Sequence, residues 1–263
     1  MKTAACIILY HPDEALLREN ILAIARNISL LILWKNSPEE IALPDLDIPV
    51  VWLGNGENQY IAAPLNECFR YCSNHGIDWL LTMDQDSIWE DFGGFIETAE
   101  KHLQDSVIVF APSVNGTLGN GQECIEIDYT ITSGSLCHVP SVLTIGGFRK
   151  SYKIYWVDGE FCHRARMAGY RILALPHFNL RQHFGELDKG CGFNYSPTTY
   201  YFMFRNMLWM RRDHKTNPSI KTILYSSQMY LRSILFHEKN KLKKLGAVCR
   251  GTFDGCFKST HTA

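Results

Sequence analysis

The segment WLLTMDQDSIWED, residues 79–91, carries two aspartates directly after an apolar run. Its first part, WLLTM, is typical of an inner parallel strand, which is apolar because helices cover both of its faces. Asp84 and Asp86 follow at the carboxyl end of this strand, and that is the edge at which open α/β sheets bind ligands. The segment therefore predicts an α/β fold with an acidic ligand site at one edge of the sheet.

The segments before residue 79 alternate between strand and helix patterns. Apolar runs predict strands at residues 4–10, 29–34, 49–53 and 77–83. One helix is predicted to open at Pro12 and Asp13, and a second one to span residues 61–76. This alternation predicts a mostly parallel central sheet flanked by helices.

The overall composition is that of a globular protein with a large core. The chain has 263 residues, and 46% of them are hydrophobic. No apolar run has the length of a membrane span or of a signal peptide, so we expect a cytoplasmic location. Nine cysteines occur without a CxxC pair, which favours reduced, mostly buried thiols over disulfides or a zinc site.

The basic residues are concentrated in the C-terminal fifth. Residues 211–263 contain 11 Lys or Arg and 3 Asp or Glu, a net charge of +8, whereas the whole chain has a net charge of −1. We therefore predict a main domain over residues 1–212 and a basic, mostly helical extension over residues 213–263. Its alternating apolar and basic residues are typical of a helix packed on the main domain, or of one that binds an anionic membrane surface. We expect no nucleic-acid partner.

Two carboxylates at positions i and i+2 can reach one cation if the chain turns between them. Asp84 and Asp86 have this spacing, and carboxylate oxygens are preferred ligands of Mg²⁺. Mg²⁺ often takes its remaining ligands from substrate phosphates, so a short acidic motif is sufficient when the substrate is a diphosphate. A D-x-D pair also arises by chance in many chains, and the downstream motifs therefore decide its meaning.

Further motifs follow between residues 131 and 206. They are Ser133-Gly134-Ser135, Gly146-Gly147-Phe148, Asp158-x-Glu160-x-x-x-Arg164, His183-x-Gly185 and Tyr200-Tyr201-x-x-x-Arg205-Asn206. Together with the acidic pair, they resemble the family 2 glycosyltransferases with the GT-A fold, and within them the rhamnosyltransferase-like and galactofuranosyltransferase-like branch. The resemblance covers about residues 4–212. It implies that the main domain is a GT-A catalytic domain with a Rossmann-like sheet.

The resemblance also implies roles for individual residues. Asp158 matches the catalytic base, and Asp84, Asp86 and His183 match a site for Mg²⁺ or Mn²⁺. The implied donor-binding residues are Tyr10, Asn36, Asn58, Asn66, Asp84, Gln85, Ser133 and Gly134. The candidate acceptor-binding residues are Trp156, which lies two residues before Asp158, and Glu160 and Arg205. Glu160 is equally well explained as an acid at the start of a helix, and Arg205 as a contact of the diphosphate or a partner of a buried acid. The chemistry itself requires a base, because the acceptor hydroxyl must lose its proton as it attacks.

One position departs from the family pattern. Relatives have Asp-Asn-x-Ser after the second strand, whereas this chain has Lys35 before Asn36 and Ser37. In relatives the acid helps to hold the nucleotide base, so the pattern does not predict which base binds here. Lys35 is a candidate phosphate contact or a solvated lysine.

The expected reaction is an inverting, metal-dependent sugar transfer from a nucleoside diphosphate donor. The first candidate is rhamnose from dTDP-L-rhamnose, moved to a glycan or lipid-linked oligosaccharide acceptor in surface polysaccharide biosynthesis. Galactofuranosyl or another hexosyl transfer is the alternative within the family. Two other classes are a haloacid-dehalogenase-like phosphatase, whose strand-end D-x-D resembles DQDSI, and a non-catalytic carbohydrate-binding protein.

Overall fold

The computed structural model describes residues 1–119, 121–182, 194–214 and 218–260. Residue contacts divide the chain into two compact units, Met1–Arg149 with Asp158–His183 and Lys150–Val157 with Phe184–Ala263. The predicted division after residue 212 therefore falls inside the second unit. It lies near the end of a helix, α6 (Pro197–His214), which belongs to the same unit as the basic segment.

The described part of the first unit contains a nine-stranded sheet. Its strands are β1 (Thr3–Leu9), β2 (Leu30–Lys35), β3 (Val50–Leu53), β4 (Trp79–Asp84), β5 (Ser87–Trp89), β6 (Val107–Val114), β7 (Ile125–Glu126), β8 (Ser135–His138) and β9 (Arg171–Gln182). Their order is β3-β2-β1-β4-β8-β6-β9-β5, and β7 pairs with β9. The strands β1 to β4 are parallel to one another, whereas β8 is antiparallel to both β4 and β6. The predicted α/β fold with a mostly parallel central sheet is confirmed.

The helices of the first unit lie where the chain crosses between strands. They are α1 (Glu14–Ile24), α2 (Ala62–Asn74), α3 (Phe92–Lys101), α4 (Val139–Thr144) and α5 (Val157–Met167). Asp13 caps α1 as predicted, because its side chain accepts a hydrogen bond from the Leu16 amide at 3.0 Å. Both predicted helices are confirmed within a few residues of their ends.

The core of the first unit explains the abrupt change from apolar to acidic residues. All seven residues of β1 are buried, and so are the first five residues of β4, whereas Asp84 at the end of β4 is half-buried. Each fully buried Leu or Ile contributes about 1.5–3 kcal/mol. The apolar run thus anchors the strand, and its last residue emerges at the carboxyl edge of the sheet.

The second unit is helical in the parts that the structure describes. Besides α6 it contains α7 (Ile220–Phe236) and α8 (Lys241–Phe257). Gly251 of α8 packs against α6 so closely that a Cβ there would lie 2.4 Å from the Tyr201 carbonyl oxygen. Small residues at this contact therefore allow the two helix backbones to approach each other. None of the described helices is long and apolar enough to cross a bilayer.

A buried polar cluster ties the three helices together. The Glu238 carboxylate accepts hydrogen bonds from Tyr200 Oη at 2.5 Å, from Ser233 Oγ at 2.6 Å and from Lys244 Nζ at 2.7 Å. Glu238 and Lys244 are each 3% exposed. Because every charge in the cluster has a partner, the cluster can be buried at a tolerable desolvation cost.

Candidate active site

Three parallel strands bring their carboxyl ends to one edge of the sheet. The register places Ile8 of β1 beside Asp84 of β4, and Leu9 of β1 beside Lys35 of β2. The residues that follow these strand ends are therefore neighbours, as expected for the ligand edge of an open α/β sheet. This edge is the candidate active site.

Tyr10 and Gln85 join two of these strand ends. The Tyr10 amide donates to Gln85 Oε1 at 2.7 Å, and Gln85 Nε2 donates to the Tyr10 carbonyl at 2.9 Å. The predicted donor-binding amide of Gln85 is thus engaged with the backbone, so it positions the β1 end. Tyr10 is 47% exposed, and its ring makes an edge contact with the His11 ring, with 4.4 Å between the ring centres.

The acidic turn is held in place by residues from three other segments. Asn20 of α1 donates to the Asp84 carbonyl at 2.8 Å, and Gln182 Nε2 donates to Asp84 Oδ2 at 2.8 Å. The Asp84 amide donates to Ser133 Oγ at 3.1 Å, and Ser133 in turn donates to Ser87 Oγ at 2.8 Å. The backbone of the acidic turn is thus held from two sides, and the bond from Gln182 orients the Asp84 carboxylate.

The carboxylates at this edge repel one another. Burial raises the pKa of Asp84 to about 7, with further contributions from the negative charges of Asp86 and Asp158, while the hydrogen bond from Gln182 lowers it. A concentration of carboxylate oxygens with this mutual repulsion fits a hard divalent cation, which would relieve it.

The predicted metal site can be assessed only in part. His183 lies outside the described residues. Among the residues that are described, no group of three or more His, Cys, Asp or Glu side chains is arranged to hold a metal ion. Asp84 and Asp86 remain as the two protein ligands that a cation could share with a substrate diphosphate.

Ser133 and Gly134 support the acidic turn from the neighbouring segment. Ser133 is fully buried and bonds the Asp84 amide, so its hydroxyl faces the turn and not a ligand. Gly134 has φ +76°, and a Cβ there would lie 2.7 Å from a methyl carbon of Leu180. Only glycine therefore fits this position without displacing its neighbours.

Asn36 organises the loop that follows β3. Its side chain is 2% exposed, accepts a hydrogen bond from the Gln59 amide at 2.7 Å and donates to the Tyr60 carbonyl at 2.9 Å. It also donates to Asn58 Oδ1 at 3.3 Å, and Asn58 itself is exposed. Asn36 is thus a structural residue of this loop, whereas Asn58 lies at its surface.

Asn66 forms a two-point clamp with the Gly-Gly-Phe motif. Its Nδ2 donates to the Phe148 carbonyl at 2.7 Å, and its Oδ1 accepts from the Phe148 amide at 2.7 Å. The side chain is 5% exposed. Since both ends of the amide are engaged with Phe148, Asn66 positions this motif and does not present its amide to a donor.

Asp158, the predicted base, lies in the first turn of α5. Tyr129 Oη donates to Asp158 Oδ2 at 2.8 Å, and the Gly159 amide donates to Oδ1 at 2.9 Å. Burial raises the pKa of Asp158, and the hydrogen bonds from Tyr129 and from the backbone lower it in part. The result is a carboxylate that is more basic than an ordinary aspartate.

Glu160 does not lie where an acceptor could touch it. The residue is fully buried, and Arg164 binds its two oxygens at 2.6 and 2.8 Å. Arg149 Nε lies 2.8 Å from the same carboxylate. Arg164 also donates to the Gly147 carbonyl at 2.6 Å, so this ion cluster fastens α5 to the Gly-Gly turn. The predicted acceptor-binding role of Glu160 is replaced by a structural one.

Arg205 is likewise buried in the second unit. It is 4% exposed, donates to the Ser151 carbonyl at 2.6 Å and stacks with its guanidinium carbon 4.0 Å from the Trp209 ring centre. Its neighbour Asn206 contacts the carbonyls of Tyr152, Ile154 and Tyr155, each at 2.8 Å. Arg205 therefore holds a loop, and the prediction that it contacts an acceptor does not agree with its burial.

The loop that Arg205 and Asn206 hold is strained. Lys153, Tyr155 and Trp156 have φ values of 61°, 60° and 62°. Side chains other than glycine rarely adopt this left-handed conformation, which costs about 1–3 kcal/mol per residue and persists only where surrounding contacts impose it. The loop thus fixes the half-buried Trp156 two residues before Asp158 in the chain.

Lys35, which replaces the acid of the family pattern, has partners of its own. Its Nζ lies 2.9 Å from Glu40 Oε1 and 5.2 Å from the ring centre of Trp52. Trp52 is 37% exposed. The lysine is therefore engaged in an ion pair and a cation–π contact at the surface.

Several residues of the site were not predicted from the sequence. Asn20, Tyr129 and Gln182 belong to no motif, because each acts on a residue at least 29 positions away in the chain. Of these three residues, only Gln182 could have been identified from the sequence, since it immediately precedes the His-x-Gly motif.

Comparison with known proteins finds a similar sequence and several similar folds. A dTDP-rhamnosyl transferase, RfbF of Shigella flexneri, is 25% identical over 228 residues, which cover 76% of each chain. The fold is similar to that of GalNAc-T7 with UDP, GalNAc and Mn²⁺, with a TM-score of 0.63 and 9% identity over 99% of this chain and 56% of that one. It is also similar to the mannosyltransferase PcManGT of Pyrobaculum calidifontis in complex with GDP-Man and Mn²⁺, with a TM-score of 0.59 and 11% identity over 98% of this chain and 76% of that one. No protein-family profile matches the chain.

Proposed function

We propose that this chain is a family 2 glycosyltransferase with the GT-A fold. It transfers rhamnose from dTDP-L-rhamnose with inversion of the anomeric centre. One observation carries the chemistry. The negative charges of Asp86 and Asp158 both lie near enough to Asp84 to raise its pKa. The sugar is proposed from the similarity to a rhamnosyl transferase.

The acidic turn is proposed to bind the donor diphosphate through a cation. Asp84 and Asp86 would hold Mg²⁺ or Mn²⁺, and the two solved structures with a similar fold contain Mn²⁺. The bound ion would neutralise the charge that develops on the leaving diphosphate. Asn20, Ser133 and Gln182 keep Asp84 in place, so that the cation site is pre-organised.

Asp158 is proposed to accept the proton of the acceptor hydroxyl. As that hydroxyl oxygen bonds to the anomeric carbon, the bond from this carbon to the diphosphate breaks and the proton moves to the Asp158 carboxylate. Burial raises the pKa of Asp158, which makes it a stronger base than an exposed aspartate. Tyr129 orients the carboxylate through the hydrogen bond to Oδ2.

The remaining donor contacts are proposed at the ends of β1 and β3. Tyr10 offers an exposed ring and Asn58 an exposed amide, whereas Asn36, Asn66, Gln85 and Ser133 shape the site from behind. Lys35, which stands in place of the usual acid, and Trp52, whose ring it contacts, are the residues we propose to tune the choice of nucleotide base. The acceptor is proposed to be a glycan or a lipid-linked oligosaccharide of surface polysaccharide assembly, with Trp156 as a stacking surface.

A panel of sugar nucleotides tests this proposal. The protein is incubated with dTDP-L-rhamnose, UDP-galactofuranose, UDP-GlcNAc and GDP-mannose, each with Mn²⁺, and its melting temperature is measured, because ligands that bind the native state raise it. Release of the nucleoside diphosphate is then measured for each sugar nucleotide, and the one that is slowly hydrolysed is the donor. If another sugar nucleotide raises the melting temperature more and is the one hydrolysed, the transferred sugar is not rhamnose. Release of phosphate from simple phosphomonoesters would indicate a phosphatase, and binding without release under any condition would indicate a non-catalytic protein.

A further inference from the structure

The turn between α7 and α8 exposes apolar side chains beside lysines. Leu235 is 47% exposed, Phe236 69% and Leu242 87%. Three exposed lysines lie in the same stretch, namely Lys239, Lys241 and Lys243. Large apolar side chains so exposed next to basic ones are typical of an interaction surface. We call residues 235–243 the basic tip.

The acid within the basic tip is turned inward. Glu238 is 3% exposed, and its negative charge is bound by Lys244 at 2.7 Å inside the helical unit. Hydrogen bonds from Tyr200 and Ser233 complete its shell. The outward charge of the basic tip is therefore positive, although its sequence contains a carboxylate.

The same combination continues along both helices. Further exposed apolar side chains are Ile220, Leu224, Tyr225, Phe253 and Phe257. Further exposed cations are Lys221, Arg232 and Arg250. Asp254 is 5% exposed and is bound by Tyr201 at 2.6 Å. Across the described parts of α7 and α8, the exposed charged side chains are thus all basic.

We propose that the basic tip docks this chain on an anionic lipid bilayer, with Phe236 and Leu242 entering the headgroup region and the lysines facing lipid phosphates. Apolar insertion and attraction to anionic lipids together provide stable surface binding, whereas either alone is weak. A second copy of the chain is a poorer occupant, because a symmetric contact would bring the lysines of both copies together. The inference does not depend on the sugar that the protein transfers.

Vesicle co-sedimentation of the full chain at low salt tests the inference. Vesicles are made of phosphatidylcholine alone or mixed with phosphatidylglycerol, and no sugar nucleotide is added. Two variants alter the basic tip, Phe236→Ser with Leu242→Ser and Lys239→Gln with Lys243→Gln. Lys241 is left intact because its Nζ bonds the Leu235 carbonyl at 2.7 Å at the end of α7. A matched control changes exposed residues of the same types elsewhere, Met167→Ser with Lys101→Gln.

We expect the wild type and the control to sediment with anionic vesicles and not with neutral ones. The double lysine variant should bind about 25-fold more weakly, at about fivefold per lysine, and the double apolar variant should lose binding by at least about tenfold. Circular dichroism and gel filtration check that each variant is folded and has the same oligomeric state as the wild type.

Three results would overturn the inference: a wild type that stays in the supernatant with anionic vesicles, equal binding to neutral vesicles, or tip variants that bind like the control. If the wild type self-associates and the double apolar variant does not, the surface binds a second copy of the chain instead. Donor binding is measured separately, so failure here leaves the proposed sugar transfer untouched.

Discussion

Tyr129 donates its phenolic hydrogen to Oδ2 of Asp158 at 2.8 Å, and it does so from a loop that precedes β8. Removing this donor with Tyr129→Phe should raise the pKa of Asp158 further, because the hydrogen bond stabilises the ionised carboxylate. The base acts only when ionised, so the acid limb of the rate profile should move to higher pH. The measurement is donor hydrolysis or transfer as a function of pH, with Tyr71→Phe as the control. If the acid limb does not move, the hydrogen bond from Tyr129 does not affect the base.

Asp158→Asn should keep the shape of the site and remove its base. We expect the transfer rate to fall by about 10²-fold or more, as is typical for a lost general base. Donor affinity should stay within about threefold of wild type if the donor is held elsewhere, at Asp84 and Asp86. Rate assays and calorimetry on the same preparation separate the two effects. Loss of donor binding would make Asp158 a donor or metal ligand, and near-normal transfer would make it only a helix residue.

Two adjacent glycines provide a matched test of the Asn66 clamp. Both Gly146 and Gly147 have left-handed φ angles, 84° and 66°, but a Cβ at Gly146 would have no atom within 4 Å, whereas one at Gly147 would lie 2.3 Å from Asn66 Oδ1. Gly146→Ala should lower the free energy of unfolding by about 1–2 kcal/mol. Gly147→Ala should cost about 1–3 kcal/mol more, since it also disrupts the two hydrogen bonds between Asn66 and Phe148. Equal losses in urea denaturation would show that the clamp contributes nothing.

The buried ion pair of the second unit should be far more sensitive than an exposed one. Lys244→Met leaves the Glu238 carboxylate buried without its cation and should cost about 3–5 kcal/mol. Lys258→Met is the control, because Lys258 is 59% exposed in its pair with Asp254 and should cost about 1 kcal/mol or less. Thermal or urea unfolding measures both. A comparable loss in the two variants would mean that burial does not set the strength of these pairs.

Local patterns were sufficient to predict the first half of the fold. The apolar strands β1 and β4, the helix capped by Asp13 and the acids at the end of β4 all follow from residues close together in the chain. The antiparallel strand β8 was not predicted, because its pairing with β4 depends on contacts between residues more than 50 positions apart.

The roles of single polar residues were the hardest to predict. Glu160 and Arg205 stand in motifs that resemble ligand-binding ones, but both are buried and bound by other parts of the protein. Conversely, Gln182 orients Asp84 across 98 positions of sequence without any motif of its own. A motif shows that a polar residue is needed, whereas only the packing around it shows whether its side chain faces a ligand or the protein.

Calorimetric titration with dTDP-L-rhamnose in Mn²⁺ and in a chelator, using wild type and Asp86→Ala, measures whether a cation joins the donor to the acidic turn. Asp128→Ala removes an exposed carboxylate of the same unit and serves as the control. We expect saturable binding by wild type and control in Mn²⁺, and a loss of affinity of about tenfold or more, at least about 1.4 kcal/mol, in the chelator and in Asp86→Ala. Equal affinity in Mn²⁺ and chelator, or equal affinity of Asp86→Ala and Asp128→Ala, would contradict a cation-bridged donor site at the acidic turn.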